Sequence, residues 1–255
     1  MQLVDSHCHI HFDDFGFNGQ EVITRASEAN VTKIVCVGCS LDDSQKAVDF
    51  ANNYPNVWAS VGAHPHDGAD FLSIPDATDR LLKLASNSKV IAIGEIGLDY
   101  YRSSVAVDNQ EKTLRTQIEA TLELGKPYIF HVREAWDNFW QVIDSYRGIQ
   151  GVIHSFSADT NRLNQALERG FYIGLNGIMT FTKDDLQLQA AKKVPLDKLI
   201  LETDAPFLTP APYRGKPCEP KHVRVTAEFL AKLRGENLEE LAESTTANVE
   251  RLFGI

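Results

Sequence analysis

Asp5-Ser6-His7-Cys8-His9 stands at the start of the chain, directly after the apolar pair Leu3-Val4. Alternate side chains of an extended strand point to one face, so His7 and His9 point the same way. Two imidazoles side by side on a strand form half of a metal site. Glu95, His131, His154 and Asp204 offer the other half, each at or just beyond the end of a separate apolar run. Together these residues supply nitrogen and carboxylate oxygen, the donors a borderline divalent cation takes. Six residues from five distant segments must converge. A parallel barrel is the simplest fold that brings such strand ends together.

The rest of the chain keeps the same rhythm. Short apolar runs alternate with longer amphipathic stretches: Leu3-Val4, Lys33 to Val37, Val57 to Val61, Val90 to Ile93, Tyr128 to Val132, Gly151 to His154, Phe171 to Leu175 and Lys198 to Glu202. Several are β-branched and apolar on both faces, as buried parallel strands are. Between them, Val107 to Leu124 carries apolar residues at helical spacing and stops at Gly125. Asp159 to Leu167 opens on the capping residues Asp-Thr-Asn and stops at Gly170. Pro220 to Phe253 reads as two or three helices that close the barrel. The expected fold class is therefore α/β, a (β/α)8 TIM barrel with C-terminal closing helices, in a single domain over residues 1–255. The length of 255 residues suits this fold, which typically takes about 250. No Gly-x-Gly-x-x-Gly follows a strand, so no dinucleotide or other organic cofactor is expected.

Composition narrows the function classes. A hydrophobic content of 43% supports one large core. No apolar run approaches the roughly 20 residues of a membrane span. The N-terminus lacks the charged and long apolar regions of a signal peptide, so a cytoplasmic protein is expected. Cys8, Cys36, Cys39 and Cys218 are too few for a disulfide scaffold of this size. Cys36-Val37-Gly38-Cys39 has CxxC spacing but lies where a strand runs into a turn, without the second pair of a zinc ribbon. Both are read as structural cysteines. The net charge of −10 argues against a broad basic surface for nucleic acid. It leaves room for a nuclease that grips phosphate through metal ions.

Active sites of these barrels are built at the C-terminal ends of the strands, where all six candidate ligands fall. Six ligands exceed what one catalytic ion with an open position takes, which points to two divalent ions, Mg, Mn or Zn. Asp204 is placed to orient a water and accept its proton, and with Glu95 it is expected to be catalytic. His64 and His66, in Gly62-Ala63-His64-Pro65-His66, follow the third strand and are expected to meet substrate. Arg133, Arg214 and Lys216 are loop cations suited to phosphate: Arg forks onto two oxygens, and Lys acts as a point charge. Strand parity puts Asp5 beneath His7 and His9, and Glu202 beneath Asp204. Both are read as buried carboxylates that orient ligands. His11 and His222 lack such context and are read as surface residues.

Taken together, several landmarks resemble the TatD family of metal-dependent hydrolases, within the amidohydrolase-like barrels. They are Asp5-Ser6-His7-Cys8-His9, Gly62-Ala63-His64-Pro65-His66, Gly94-Glu95-Ile96-Gly97-Leu98-Asp99-Tyr100, Phe130-His131-Val132-Arg133-Glu134, His154-Ser155-Phe156, Leu201-Glu202-Thr203-Asp204-Ala205-Pro206, Tyr213-Arg214-Gly215-Lys216 and Asn248-Val249-Glu250-Arg251-Leu252-Phe253. The resemblance spans nearly the whole chain. It implies a two-metal TIM barrel with deoxyribonuclease activity on a DNA substrate, cleaving phosphodiesters in the manner of a 3′-exonuclease. It also implies that Glu95 bridges the ions, that His7, His9 and Asp204 hold one, and that His131 and His154 hold the other. The family usually reads Arg-Gly-Lys-x-Asn-Glu-Pro, whereas this chain has cysteine at position 218 within Arg214-Gly215-Lys216-Pro217-Cys218-Glu219-Pro220. That change touches no expected metal ligand and bears on substrate preference. The alternative is an amidohydrolase of a small amide, lactone or ester. Many such enzymes bridge their metals with a carboxylated lysine on strand four. Val90 to Gly97 contains no lysine and offers Glu95, which favours the nuclease.

Overall fold

The computed structural model describes residues 1–255. All eight expected strands are present: β1 Leu3–Cys8, β2 Val31–Val37, β3 Val57–Val61, β4 Val90–Asp99, β5 Tyr128–Arg133, β6 Gly151–Ile153, β7 Tyr172–Leu175 and β8 Leu199–Leu201. Helices separate successive strands, and the strands follow chain order in one sheet, the topology of a (β/α)8 barrel. No helix is long and apolar enough to cross a membrane. Two compact units make up the chain, one of Met1–Cys36 with Ser155–Ile255 and the other of Val37–His154.

In the first unit β1 and β2 run parallel, with Leu3 opposite Val31 and Cys8 opposite Cys36. β7 and β8 do the same, with Ile173 opposite Leu199 and Leu175 opposite Leu201. Every residue of β1 is buried, Asp5 and His7 included. The strand therefore extends well past the apolar pair that marks it in sequence, because its polar residues face partners inside the fold. The closing helices are Val223–Arg234 and Leu238–Phe253, stopped by Gly235 (φ 69°) and Gly254 (φ 70°). Asn248 ties the last helix to the start of β8, donating to the carbonyls of Leu196 and Leu199 at 2.8 Å each.

In the second unit β3, β4, β5 and β6 pair in parallel. β4 continues six residues beyond the apolar run that predicts it, to Asp99, and its register with β5 shifts between Ile93 and Ile96. Gly97 makes the continuation possible. Its φ is 152°, and a Cβ there would lie 1.9 Å from the carbonyl oxygen of His131. The helix Val107–Thr121 ends in a 3₁₀ turn, Leu122–Leu124, and stops at left-handed Gly125, the predicted stop. This helix clamps the loop after β3 and the end of β4. Gln117 bonds the N–H and C=O of Ala63 (2.7 and 3.0 Å), and Gln110 bonds those of Asp99 (2.9 and 3.1 Å).

Two expectations are corrected. His11 and His222 are buried, not on the surface. His222 closes the first turn of a short 3₁₀ helix: its Nδ1 accepts the Glu219 N–H at 3.0 Å, and its ring stacks on Tyr213 at 5.2 Å. The stretch Glu219-Pro220-Lys221-His222 caps a helix rather than crossing a loop. Cys36 is buried in β2 and Cys39 is half-buried beyond it, as strand and turn cysteines.

Candidate metal centre

In the first unit the strand pattern delivers what it promises. The Nε2 atoms of His7 and His9 lie 3.2 Å apart. Asp204 Oδ1 lies 3.5 Å from His7 Nε2 and 3.3 Å from His9 Nε2. Four ligands placed tetrahedrally at about 2.1 Å from a divalent ion are about 3.4 Å apart. The three separations match that spacing, so two imidazoles and a carboxylate converge as a ligand set would.

The backbone holds this set in place. Asp204 donates its N–H to the His7 carbonyl at 2.8 Å, and His9 donates to the Ala205 carbonyl at 2.5 Å. Asp204 has φ 60°, a left-handed conformation that Asp tolerates better than most residues. The preceding residue is pinned by Asp5, which accepts the Thr203 N–H at 2.9 Å and the Thr203 hydroxyl at 2.6 Å. Asp5 also accepts the His7 N–H at 3.4 Å. Asp5 thus orients the ligands through their backbone. Burial pushes its carboxyl well above the ordinary value, and the Thr203 hydrogen bonds offset part of that rise. Glu202 accepts the Ser155 N–H at 2.7 Å and the Asn176 amide at 3.2 Å, joining the loops after β6, β7 and β8. Cys218 is fully buried. Burial and then the carboxylates of Asp5 and Asp204 push its thiol up, so it stays neutral.

In the second unit Glu95 is the hub. Its Oε1 lies 2.7 Å from His131 Nδ1, 3.3 Å from His154 Nε2 and 3.7 Å from His64 Nε2. His131 Nε2 lies 3.2 Å from Asp99 Oδ2, and Asp99 also meets His66 Nε2 at 3.0 Å. Asp99 accepts the N–H groups of Tyr101 and Arg102 at 2.8 Å each. Burial alone would raise the pKa of Glu95, but electrostatic interaction with the facing rings of His154 and His64 and hydrogen bonds with His131 and His154 hold it well below the ordinary value. Burial likewise opposes the charge on Asp99, and His131 with the two backbone donors brings it below the ordinary value. For His131 burial works against the charged ring, yet Asp99 and Glu95 outweigh it and raise the pKa. Burial drives His64 down to about 3, so its ring is neutral. The 2.7 Å contact between His131 and Glu95 is a hydrogen bond, and a cation bound there must displace its proton.

The expected substrate residues land in different settings. The His64 ring packs edge-on against His131 at 4.5 Å, inside the donor set itself. His66 is exposed and pairs with Asp99. Arg133 lies over the Tyr101 ring at 4.4 Å. Arg214 lies 3.9 Å from the Phe181 ring centre and donates to the Thr209 carbonyl of its own loop at 2.9 Å, so much of its cation is already committed. Lys216 is exposed. Asp99 is the site residue that sequence reading missed. Glu95, Gly97 and Asp99 alternate along β4, a parity that becomes a signal only once the strand is known to run to Asp99.

Comparison with known proteins points the same way. The chain matches the TatD related DNase family over residues 4–254. It is 34% identical over 255 residues to YabD of Bacillus subtilis (strain 168), named an uncharacterized metal-dependent hydrolase, covering 99% of each chain. It is 35% identical over 242 residues to the protein of Citrobacter rodentium (strain ICC168) named 3′-5′ ssDNA/RNA exonuclease TatD, covering 92% of this chain and 91% of that one. The crystal structure of YjjV, a TatD homolog from Escherichia coli K12, superimposes with a TM-score of 0.90 at 27% identity, covering 99% of this chain and 98% of that one. A match over essentially the full length, in sequence and in fold, makes this chain a member of the TatD related DNase family and a metal-dependent hydrolase.

Proposed function

We propose that the protein hydrolyses phosphodiester bonds of single-stranded nucleic acid, DNA foremost, from the 3′ end, with two divalent ions (Mg, Mn or Zn). One observation carries the reading. Each compact unit presents two imidazoles and a carboxylate: His7, His9 and Asp204 in one, and His131, His154 and Glu95 in the other. Each set would hold one ion. A relative named as a 3′-5′ exonuclease on ssDNA and RNA supports the substrate class and the direction.

When bound, such ions polarise a phosphoryl oxygen and lower the pKa of a water toward about 7. The chain's own residues do the rest. Asp204, the least buried ligand of its set, orients the attacking water and accepts its proton. Glu95 stays ionised beside its histidines and is a charged ligand at neutral pH. Asp99 fixes the ring of His131 from the far side, as carboxylates behind ligating histidines do. His64 is a neutral donor beside Glu95, and His66 faces substrate from the loop after β3. Arg133, Arg214 and Lys216 meet phosphates, with Lys216 the most available of the three. Residues 1–255 act as one domain, a reading supported by the family match over 4–254. Four free cysteines suit a reducing cytoplasm.

The test is direct. Metal-stripped protein is reloaded with Mg²⁺, Mn²⁺ or Zn²⁺ and given end-labelled single strands, duplexes, and a panel of amides, esters and lactones. Metal-dependent shortening from the 3′ end, stopped by a chelator, is the expected outcome. Ready hydrolysis of an amide or lactone with DNA left intact overturns the reading.

A further inference from the structure

We infer that the protein carries a stacking track for the nucleotides next to the cleaved one, running from Phe207 across Phe15 and Phe17 into the cleft at Tyr213 and Lys216. The inference rests on the nuclease reading above and names where the rest of the strand lies.

Four aromatic rings are left substantially in water; Tyr101 lies under Arg133, and the other three are Phe15, 39% exposed, Phe207, 45%, and Tyr213, 44%. Two of them belong to a chain of rings that starts at a metal-site imidazole. His9 stacks on Phe12 at 4.9 Å, and Phe12 meets Phe207 at 6.4 Å. Phe207 meets Phe15 edge-on at 5.6 Å, and Phe15 stacks with Phe17 at 6.3 Å. Phe17 then lines a cleft of about 750 Å³ together with Tyr213. The same cleft is lined by the cations Lys216, Lys221 and Arg224 and by the carboxylates Glu219 and Glu228. Lys221 is paired with Glu219 at 3.3 Å and Arg224 with Glu228 at 3.0 Å. Lys216 is the cation of the cleft that no carboxylate neutralises.

Exposed rings beside cations are the two halves of a single-strand site. Every base has a π-face to stack, and each step brings one phosphate. A duplex hides its base faces and could not use the rings this way. Asp13 and Asp14 flank Phe15 on the same turn, so the phosphates cannot lie along that turn. They are held instead on the cleft side, by Lys216, while the bases lie on the rings.

Binding of 5′-labelled hexathymidylate, followed by fluorescence anisotropy in the presence of a chelator, reads the track without cleavage. Phe15→Ala, Phe207→Ala and Tyr213→Ala are each expected to weaken binding about five- to a hundred-fold. Phe15→Tyr should restore it and Phe15→Leu should not, because the site needs a ring and not merely an apolar side chain. With metal loaded, the kcat/KM advantage of hexathymidylate over dithymidylate should shrink in the alanine variants. Equal binding by wild type and all three alanine variants, each checked by thermal unfolding, overturns the track. If loaded wild type cleaves the dinucleotide with no gain from length and the variants bind normally, the nuclease reading stands and the track falls. If wild type cleaves neither oligonucleotide but still binds the hexamer through these rings, the track stands and the nuclease reading fails.

Discussion

The carboxylate of Asp5 accepts both the backbone N–H of Thr203, at 2.9 Å, and its hydroxyl, at 2.6 Å. One buried side chain on β1 therefore fixes the residue before Asp204, while the neighbouring His7 carbonyl takes the Asp204 N–H. Ligands from the first and last strands are set by one small network. Asp5→Asn replaces one accepting oxygen with a donor facing the Thr203 hydroxyl, and the network must rearrange. Metal affinity is expected to fall about 10–100-fold, with the fold retained. Isothermal titration with Zn²⁺ or Mn²⁺ measures it, and unchanged affinity would show that Asp5 serves packing alone.

Gly97 gives a sharper structural test. Its φ of 152° and the 1.9 Å approach of a would-be Cβ to the His131 carbonyl oxygen leave no room for a side chain. Gly97→Ala is expected to cost about 2–5 kcal/mol in urea unfolding, through backbone strain and overpacking together. It should also lower metal occupancy, since β5 must move and His131 moves with it. Gly125→Ala is the control. It has φ 63° but nothing within 4 Å, so only the left-handed backbone cost of about 1–2 kcal/mol applies. Equal losses at the two positions would contradict the close approach.

Much of this arrangement is legible in the sequence because it follows from periodicity. The two-residue spacing of His7 and His9 puts both rings on one face, and helices stop where Gly125 and Gly170 allow them to. Asp99 was not legible by the same means. The apolar run of β4 ends at Ile93, and the glycine-bearing remainder does not read as strand, although it is paired to β5 as far as Asp99. The burial of His11 and His222 depends on tertiary partners that periodicity does not encode. Arg214 reads as a free loop cation, and only the fold shows it resting on Phe181, a residue distant in sequence.

His131 makes metal binding depend on pH. Burial lowers its pKa, but Asp99 and Glu95 outweigh burial and the metal-free ring is raised. A raised histidine adds stability that is fully present below its unfolded value, about 6.5, and is lost as pH rises through the folded value. A cation must expel that proton. Metal affinity is therefore expected to rise with pH until the raised value is passed, with proton release on binding. Calorimetry in buffers of different ionisation enthalpy counts the protons. Asp99→Asn should move the rise to lower pH. Affinity that stays flat from about pH 6 to 8, with no proton released, would contradict the assignment.

Arg214 and Lys216 should separate in their effects. Arg214 is held by the Phe181 ring and the Thr209 carbonyl, so Arg214→Ala should loosen the loop at a cost of about 0.5–2 kcal/mol. Lys216 is exposed, and Lys216→Ala should leave stability unchanged. It should flatten the salt dependence of oligonucleotide binding by about 0.7 in log–log slope, the loss of one single-strand phosphate contact. A full salt slope in Lys216→Ala would show that its ammonium does not meet phosphate.

Asp204→Asn probes the chemistry itself. Asparagine keeps the size and shape of aspartate and tolerates the left-handed φ of 60° about as well. Its amide oxygen can still face His7 and His9 Nε2 across the 3.3–3.5 Å gaps that define the ligand set. Fold and some metal occupancy should therefore survive, which separates this variant from Asp204→Ala. The amide cannot accept a proton from the attacking water, and general-base help of this kind is worth roughly 10²–10⁴-fold. Turnover on an oligonucleotide is expected to fall by that factor at saturating metal, with KM much less affected. The acidic limb of the pH–rate profile, which reports a carboxylate losing its proton, should disappear with it. A variant that holds metal yet turns over at the wild-type rate with its acidic limb intact would assign the proton to another acceptor.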